Sequence, residues 1–428
     1  MTIAISIVFI VGYILIASEH FIKINKAASA LLTGILCWTL YVFGSPDRHE
    51  ITIQLMDQVA DIAGILFFLM GAMTIVEIID AHEGFDTVTA ILAKGNKRRL
   101  LWLMAIGCFL LSAILDNLTT TIVMVTLLSK ILPKREDLLM FTGMVIIAAN
   151  AGGGWSPIGD VTTTMLWIGG QITSLSIIKV LIIPSLACLA FPLLWASLRL
   201  KDGKEPITLP KTKTNLSNDK RIGKQVLTLG VGVLLFVPVF KSITHLPPFI
   251  GMIFGLGILW VVTELMHRKV NEEKRHARSV SRALQRIDMP SIMFFLGILL
   301  SISALQAAGI LHILALWLNH AIGNMNVIVF AIGIFSAIVD NVPLVAGAIK
   351  MYPLSQFGVD NTFWSFLSYC TGTGGSALII GSAAGVAAMG IAKIDFIWYL
   401  KKITPLALLG YCAGAAVFIL QGKILFNY

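Results

Sequence analysis

Charged residues are scarce in this 428-residue chain: Asp, Glu, Lys and Arg make up 13% of it, about half the share of an ordinary soluble protein. Hydrophobic residues make up 57%, and the mean hydropathy is +0.87. Because about 20 apolar residues cross a bilayer, this length accommodates about ten to twelve membrane segments. The composition therefore excludes a soluble enzyme and leaves no room for a large domain outside the membrane.

Cysteine is also rare, and it gives no sign of a disulfide framework or a metal site. The five cysteines lie in apolar stretches without CxxC spacing: Cys37, Cys108, Cys188, Cys370 and Cys412. The 32 Lys and Arg exceed the 23 Asp and Glu, but they lie between apolar runs, so the net charge of +9 reflects membrane topology rather than a nucleic-acid partner. Residues 1–17 lack a basic start and a cleavage site, which predicts a retained span.

The distribution of basic residues predicts which segments cross the membrane. Two basic linkers, 199–224 and 268–286, are predicted to be cytoplasmic, with two short spans between them. The apolar run 100–132 has basic residues on both sides, so it is expected to enter from the cytoplasm and return as a re-entrant hairpin. The run 325–350 lies in a stretch poor in basic residues and is expected to form a second hairpin that enters from the outside.

The tips of the two predicted hairpins are related in sequence. The segment SAILDN at 112–117 recurs as SAIVDN at 336–341, which indicates an internal duplication. Each half then contains five crossings and one hairpin. Since five is odd, the second half runs upside down relative to the first, as in the inverted repeats of secondary transporters.

The sequence thus predicts an all-α polytopic membrane protein built from two inverted repeats. Glycine-rich stretches interrupt one long apolar run in each half, which predicts broken helices near the midplane, because unwound backbone at that depth must be buried in protein or line a cavity. The predicted organisation is a first repeat at 1–198 (hairpin 100–132, broken helix 138–170), a cytoplasmic linker at 199–224 and a second repeat at 225–428 (hairpin 325–350, broken helix 362–392).

Three aspartates lie at these breaks: Asp116, Asp160 and Asp340. An ionised carboxylate is costly inside a membrane and is by default a functional candidate. Oxygen donors surround these positions and suit a hard cation such as Na+ or Li+, and no resident cofactor is expected. The candidate cation and proton site comprises Asp116, Asn117, Asn150, Ser156, Asp160, Thr162, Thr163, Ser336, Asp340, Asn341, Ser376 and Ser382, with Na+ or Li+ at Asp116, Asn117 and Asp160.

Carboxylates buried together hold protons more tightly, so a cation and a proton would compete for one site. That competition suffices for antiport, with Asp116 and Asp160 as the carriers. Asp340 is either a third acid or a cap of backbone amides at the hairpin tip. An acidic patch with Glu77, Asp80 and His82 follows the third apolar run; it either senses pH or is a solvated interfacial segment.

At these motifs the sequence resembles the NhaD-type sodium/proton antiporters of the ion transporter superfamily. The resemblance covers nearly the whole chain, on residues 71–82, 112–121, 150–164, 336–343 and 372–385. It implies a homodimer with a scaffold domain and a mobile transport domain in an elevator-like cycle, exporting Na+ or Li+ for protons. The functional positions that it implies are Glu77, Asp116, Asn117, Asn150, Asp160, Thr162, Thr163, Ser336, Asn341, Ser376 and Ser382. With no transit peptide evident, the expected location is a bacterial inner membrane.

Two other functions compete with antiport. Other members of the superfamily carry anions, coupled to Na+ or H+, and bear Ser-Asn-Thr at the hairpin tips. Here both tips have Asp before Asn, and a fixed negative charge repels an anion. A membrane enzyme would need a nucleophile or a metal-ligand helix such as HExxH, and neither motif is present, so the protein is not expected to be an enzyme.

Overall fold

The computed structural model describes residues 1–44, 48–85, 96–200, 217–268, 276 and 278–425, and every regular element in these ranges is helical. Most of the predicted linker 199–224 lies outside the described residues. The all-helical prediction is confirmed.

The first part of the chain forms nine helices within the described ranges. They are α1 Thr2–Ala17, α2 Glu19–Ile22, α3 Lys26–Phe43, α4 Arg48–Ala81, α5 Lys97–Leu115, α6 Asn117–Ile131, α7 Arg135–Gly153, α8 Val161–Ile168 and α9 Ser174–Arg199. Helices α5 and α6 are the two arms of the first predicted hairpin, and α7 and α8 are the two pieces of the first predicted broken helix.

The second part follows with a similar order of elements. Its helices are α10 Ser217–Thr244, α11 Pro248–Met266, α12 Val280–Arg286, α13 Met289–Ala307, α14 Ile310–Ile322, α15 Met325–Phe335, α16 Asn341–Met351, α17 Thr362–Gly374, α18 Ala383–Ala392, α19 Phe396–Lys402 and α20 Thr404–Leu425. Helices α15 and α16 are the arms of the second predicted hairpin, and α17 and α18 are the pieces of the second broken helix.

Eight of the described helices are long and apolar enough to cross a membrane: α3, α4, α5, α9, α10, α11, α13 and α20. Two bent pairs, α14 with α15 at 115° and α18 with α19 at 116°, raise the number of candidate spans among the described residues to at most ten. The protein is a multi-pass membrane protein. Helix α14 was not predicted from the sequence, because its 13 residues are too few for a span.

The outer surface of the bundle is apolar. Phe43, Leu198 and Ile243 are 73%, 82% and 72% exposed, and many other large hydrophobic side chains face outward with them. A water-soluble protein does not expose a surface of this kind without a partner. The acyl chains of a lipid bilayer are the environment that matches this apolar surface.

The helices pack as two groups. In the first group, α3 packs against α1 and α13, and α4 packs against α11, α12 and α13. In the second group, hairpin helices α5 and α6 pack on α7, α15 packs on α17, and α9 packs on α20. The two groups meet where α13 contacts α16, α4 contacts α8 and α10 contacts α5.

Each broken helix crosses its hairpin at a glycine that has no room for a side chain. A methyl group added to Gly152 would lie 2.2 Å from the carbonyl oxygen of Phe109, and one added to Gly374 in the second half would lie 1.9 Å from the oxygen of Gly333. Both distances are shorter than any real contact of such atoms, so only glycine permits these crossings.

A serine hydroxyl ties each hairpin to its broken helix in the same way. The hydroxyl of Ser112 donates to the carbonyl of Ala149 at 2.6 Å, and that of Ser336 donates to the carbonyl of Thr371 at 2.7 Å. The contacts of the first half therefore recur in the second half.

Replacing Gly374 with Ala is expected to lower the stability of the protein by about 1–3 kcal/mol, because the new methyl group meets backbone rather than a flexible side chain. Thermal unfolding of the detergent-purified variant measures this loss. Gly347→Ala is the matched control, since nothing lies within 4 Å of its added methyl group. Equal melting temperatures for the two variants would show that the crossing tolerates a side chain.

Candidate ion-binding site

Asp116 lies at the tip of the first hairpin, between α5 and α6, in a backbone conformation (φ 84°, ψ 161°) that is favourable only for glycine. Such strain costs about 1–3 kcal/mol and persists where the surroundings enforce it, often at functional sites. Its carboxylate accepts hydrogen bonds from the amide and the hydroxyl of Thr119, at 2.8 and 2.9 Å. The side chain therefore caps α6 while it stays half-buried next to Asn117.

Asp160 lies in the break between α7 and α8 and is only 2% exposed. One carboxylate oxygen accepts from the hydroxyl of Thr162 at 2.6 Å, and the other accepts from the side-chain amide of Asn117 at 3.2 Å. These two donors are neutral. A buried carboxylate among neutral donors favours the arrival of a positive charge, whether a proton or a metal cation.

Asn150 joins this carboxylate to the second half of the chain. The amide of Asn117 donates to Asp160 and also to the side-chain oxygen of Asn150, at 3.0 Å. The amide of Asn150 donates in turn to the hydroxyls of Ser376 and Ser382, at 2.8 and 3.0 Å. All five of these residues are buried. We call Asp160, Asn117, Asn150, Ser376 and Ser382 the central network.

Three other predicted residues are buried nearby but bond elsewhere. The hydroxyl of Thr163 pairs with that of Ser368 at 2.8 Å, which connects α8 to α17. Ser156 donates to the carbonyl of Ala113 at 2.5 Å, and Ser336 makes the bond to Thr371 described above. These hydroxyls hold the hairpins and broken helices together around the central network.

The second hairpin differs from the first in the partner of its aspartate. Asp340 caps α16 by accepting from the amide of Val342 at 3.3 Å, and it also forms an ion pair with Lys26 at 3.2 Å. Asn341 follows it and is 5% exposed. Asp340 thus has a cationic partner, whereas the hydrogen bonds described for Asp160 come from neutral groups.

A narrow cavity of about 50 Å³ opens beside Asp116 and Asn117. That volume accommodates a few water molecules or a partly hydrated ion. Its walls come from both groups of helices and include Phe68 and Met73 of α4 and Phe295 of α13 besides the hairpin tip. The cavity therefore lies at the boundary between the two groups.

Several side chains around the site were not predicted from the sequence. Ser368 and Lys26 bond to predicted residues but lie in stretches without a distinctive motif. The hydroxyls of Thr120 and Thr121, one turn after Asn117 on α6, are buried without a hydrogen-bond partner among the described residues. The run of threonines after Asp116-Asn117 was the available signal. Among those same residues, no group of three or more His, Cys, Asp and Glu is placed to hold a metal.

The acidic patch at the end of α4 contains an ion pair and a histidine pair. Glu77 bonds to Arg286 of α12 at 3.3 Å, and Asp80 is exposed. The Nδ1 of His82 bonds to the carbonyl of Ile78 at 2.7 Å, so that nitrogen carries a hydrogen. The Nε2 of His82 lies 3.1 Å from the Nε2 of His267 at the end of α11. This pair connects α4 to α11.

Burial lowers the pKa of His82 to about 4, and the charges of His267 and Arg278 act in the same direction. The packed His82 is therefore neutral at pH 7. Proton uptake below the ordinary histidine pKa of about 6.5 favours states in which His82 is released from this packing.

The chain belongs to the CitMHS family, described as citrate transporter, whose model matches residues 13–367. It is 44% identical over 416 residues to sodium/proton antiporter 2 of Arabidopsis thaliana, covering 97% of this chain and 98% of that protein. Sodium/proton antiporter 1 of the same plant is 47% identical over 420 residues, covering 97% and 72%. The Na+/H+ antiporter NhaD of Vibrio cholerae is 30% identical over 447 residues, covering 97% and 90%. The resemblance to NhaD-type antiporters is confirmed.

Replacing His82 with Gln is expected to reduce the loss of stability on acidification. In the wild type the packed His82 resists protonation, so its contribution is complete above about pH 6.5 and falls, by at most about 3 kcal/mol, as the pH drops toward 4. Melting temperatures at pH 8 and pH 5 measure this difference, with His312→Gln on the exposed face of α14 as the control. A variant with the wild-type acid sensitivity would remove His82 from this linkage.

Proposed function

We propose that this protein is a secondary active transporter that exports Na+ in exchange for H+. The single observation that carries the proposal is the buried carboxylate of Asp160 in a helix break, held by the central network. The similarity to proteins named sodium/proton antiporters, over nearly the whole chain, supports the same function. Li+ is expected to replace Na+, because it is also a hard cation that prefers oxygen ligands.

Exchange follows from competition at Asp116 and Asp160. With no bound cation, a carboxylate buried among neutral groups takes up a proton, because burial penalises its ionised form. A Na+ ion that reaches the oxygens of Asp116, Asn117 and Asp160 compensates the negative charge and releases the proton. Each side of the membrane then loads the site with the ion that its own concentrations favour.

Alternating access would involve a movement of one helix group against the other. We assign α1, α3, α4 and α10–α13 to a scaffold domain and the hairpins and broken helices to a transport domain. The recurrence of the glycine and serine contacts at matching positions of the two halves supports an inverted repeat. The cavity between the two groups gives such a movement a path. We also propose an elevator-like cycle, a homodimer and a location in a bacterial inner membrane. Proteins named as antiporters occur in both plants and bacteria, so the proposed exchange suits a membrane of either origin.

Coupled transport of an anion is the second candidate, since the matching family model is described as citrate transporter. A carboxyl substrate would need cationic or amide donors that point into its site. The residues around Asp160 instead converge on a negative charge, which favours the cation. Proton movement in proteoliposomes after addition of a cation or of a dicarboxylate separates the two functions.

Replacing Asp160 or Asp116 with Asn is expected to reduce Na+-driven proton movement in proteoliposomes at least tenfold. Each substitution is nearly isosteric but removes the group that binds both ions. Asp395→Asn is the control, because this exposed residue caps α19 and asparagine caps a helix equally well.

Addition of Na+, Li+, K+ and a dicarboxylate in turn identifies the transported ion in that assay. A response to Na+ or Li+ alone is expected. Retained exchange in either Asp variant would exclude that residue as a carrier, and a response to the dicarboxylate alone would replace the cation with an anion.

We further propose that Glu77, Asp80 and His82 adjust activity to pH. Glu77→Gln weakens the ion pair with Arg286 without removing a carrier, so it is expected to shift the pH profile of exchange rather than abolish exchange. Initial rates between pH 6 and pH 9 measure the shift. An unchanged profile would leave the Glu77 pair a structural role.

A further inference from the structure

The ion pair between Lys26 and Asp340 connects parts of the chain that are far apart in sequence. The ammonium of Lys26 lies 3.2 Å from the carboxylate of Asp340, and the two side chains are 27% and 18% exposed. The same ammonium lies 4.2 Å above the ring of Phe294. Lys26 is therefore fixed on two sides, by a carboxylate and by an aromatic face.

The two partners belong to different helix groups. Lys26 is the first residue of α3, and Phe294 lies on α13, which packs along α3. Asp340 is at the tip of the second hairpin, just before α16. The ion pair thus crosses the boundary that a relative movement of the two groups would shear.

Two further lysines bond across the same boundary, but to neutral acceptors. Lys350 of α16 donates to Gln58 of α4 at 2.9 Å, and Lys241 of α10 donates to the carbonyl of Trp167 on α8 at 2.6 Å. Loss of a neutral acceptor leaves no carboxylate without its counter-charge. Separation of Lys26 from Asp340 instead leaves a partly buried carboxylate without its counter-charge, which is strongly unfavourable until another cation or a proton arrives.

The expected depth of the Lys26–Asp340 pair in the membrane indicates whether the transport domain lies toward the cytoplasm or toward the outside. Lys23 and Lys26 lie at the loop before α3, so the positive-inside rule predicts this loop on the cytoplasmic side, and the second hairpin is expected to enter from the outside. The tip of an outside hairpin here reaches the cytoplasmic end of α3. The transport domain therefore lies toward the cytoplasm, and an outward movement would draw Asp340 away from Lys26.

We propose that Lys26 is a positioning residue: it is the counter-ion of Asp340 in the inward state, and the pair must separate for the site to face outward. The inference rests on the proposed exchange function. In this state the charge of Asp340 is balanced by Lys26 of the protein itself, whereas Asp116 and Asp160 carry the transported ions. Removing the charge of one partner leaves the charge of the other uncompensated. Removing both charges together leaves no uncompensated charge.

A cross-link between positions 26 and 340 tests the separation directly. The variant Lys26→Cys/Asp340→Cys is made with the native cysteines replaced, joined by a short cleavable bifunctional thiol reagent and assayed in proteoliposomes. Cross-linking is expected to reduce Na+/H+ exchange at least tenfold, and cleavage to restore it. The matched control is Lys97→Cys/Asp137→Cys, because that ion pair lies within the second group, between α5 and the start of α7, and its cross-link is expected to leave the rate unchanged.

Charge substitutions test the pairing itself. Lys26→Gln is expected to slow exchange at least fivefold, because Asp340 is left unpaired, and adding Asp340→Asn to it is expected to restore most of the rate. A cross-linked 26–340 protein that exchanges at the uncrosslinked rate overturns the inference. So does a Lys26→Gln/Asp340→Asn protein that is inactive although the wild type is active. A wild type that moves no protons with Na+ contradicts the exchange function itself, and this inference with it.

Discussion

The structure depends on the requirement that polar groups inside a membrane find their partners within the protein. Both helix breaks leave backbone and side-chain groups without intrahelical partners in the buried interior of the bundle, and each unsatisfied group there is costly. Asn150 meets this requirement for the two halves together, since its side chain bonds to Asn117 on one side and to Ser376 and Ser382 on the other. The proposed ion site depends on this arrangement, which satisfies the polar neighbours of Asp160 and leaves its carboxylate without a charged partner among the hydrogen bonds described.

Close approach of backbones makes the arrangement possible. At Gly152 and Gly374 the hairpins lie against the broken helices with no side chain between them, so the tips reach the breaks. The serine bonds from Ser112 and Ser336 then fix the angle of each crossing. Packing thus brings the two breaks to positions where Asp116 bonds to Thr119 and Asp160 bonds to Thr162 and Asn117.

Much of this could be predicted from the sequence, because the signals are local. The polar tips at 112–117 and 336–341 and the glycine-rich breaks are visible as interruptions of apolar runs, and they identify Asp116, Asp160 and the residues around them. The partners of Asp340 and His82 were not predictable, because Lys26 and His267 lie far away in the chain and belong to ordinary membrane-flanking segments. Helix α14 was overlooked for a different reason: hydropathy identifies spans, and a short helix that turns sharply into the next has no signal of its own.

The hydrogen bonds of the central network have one direction, and this couples the two halves of the chain. Both hydrogens of the Asn150 amide go to serines, so its oxygen must face Asn117, and both hydrogens of the Asn117 amide are then used by Asn150 and Asp160. A proton on the lone pair of Asp160 that accepts from Asn117 would place two hydrogens against each other. Asn117 would have to turn, and Asn150 and the two serines would have to adjust with it. A proton at that position would thereby alter the hydrogen bonds that reach the helix break in the second half.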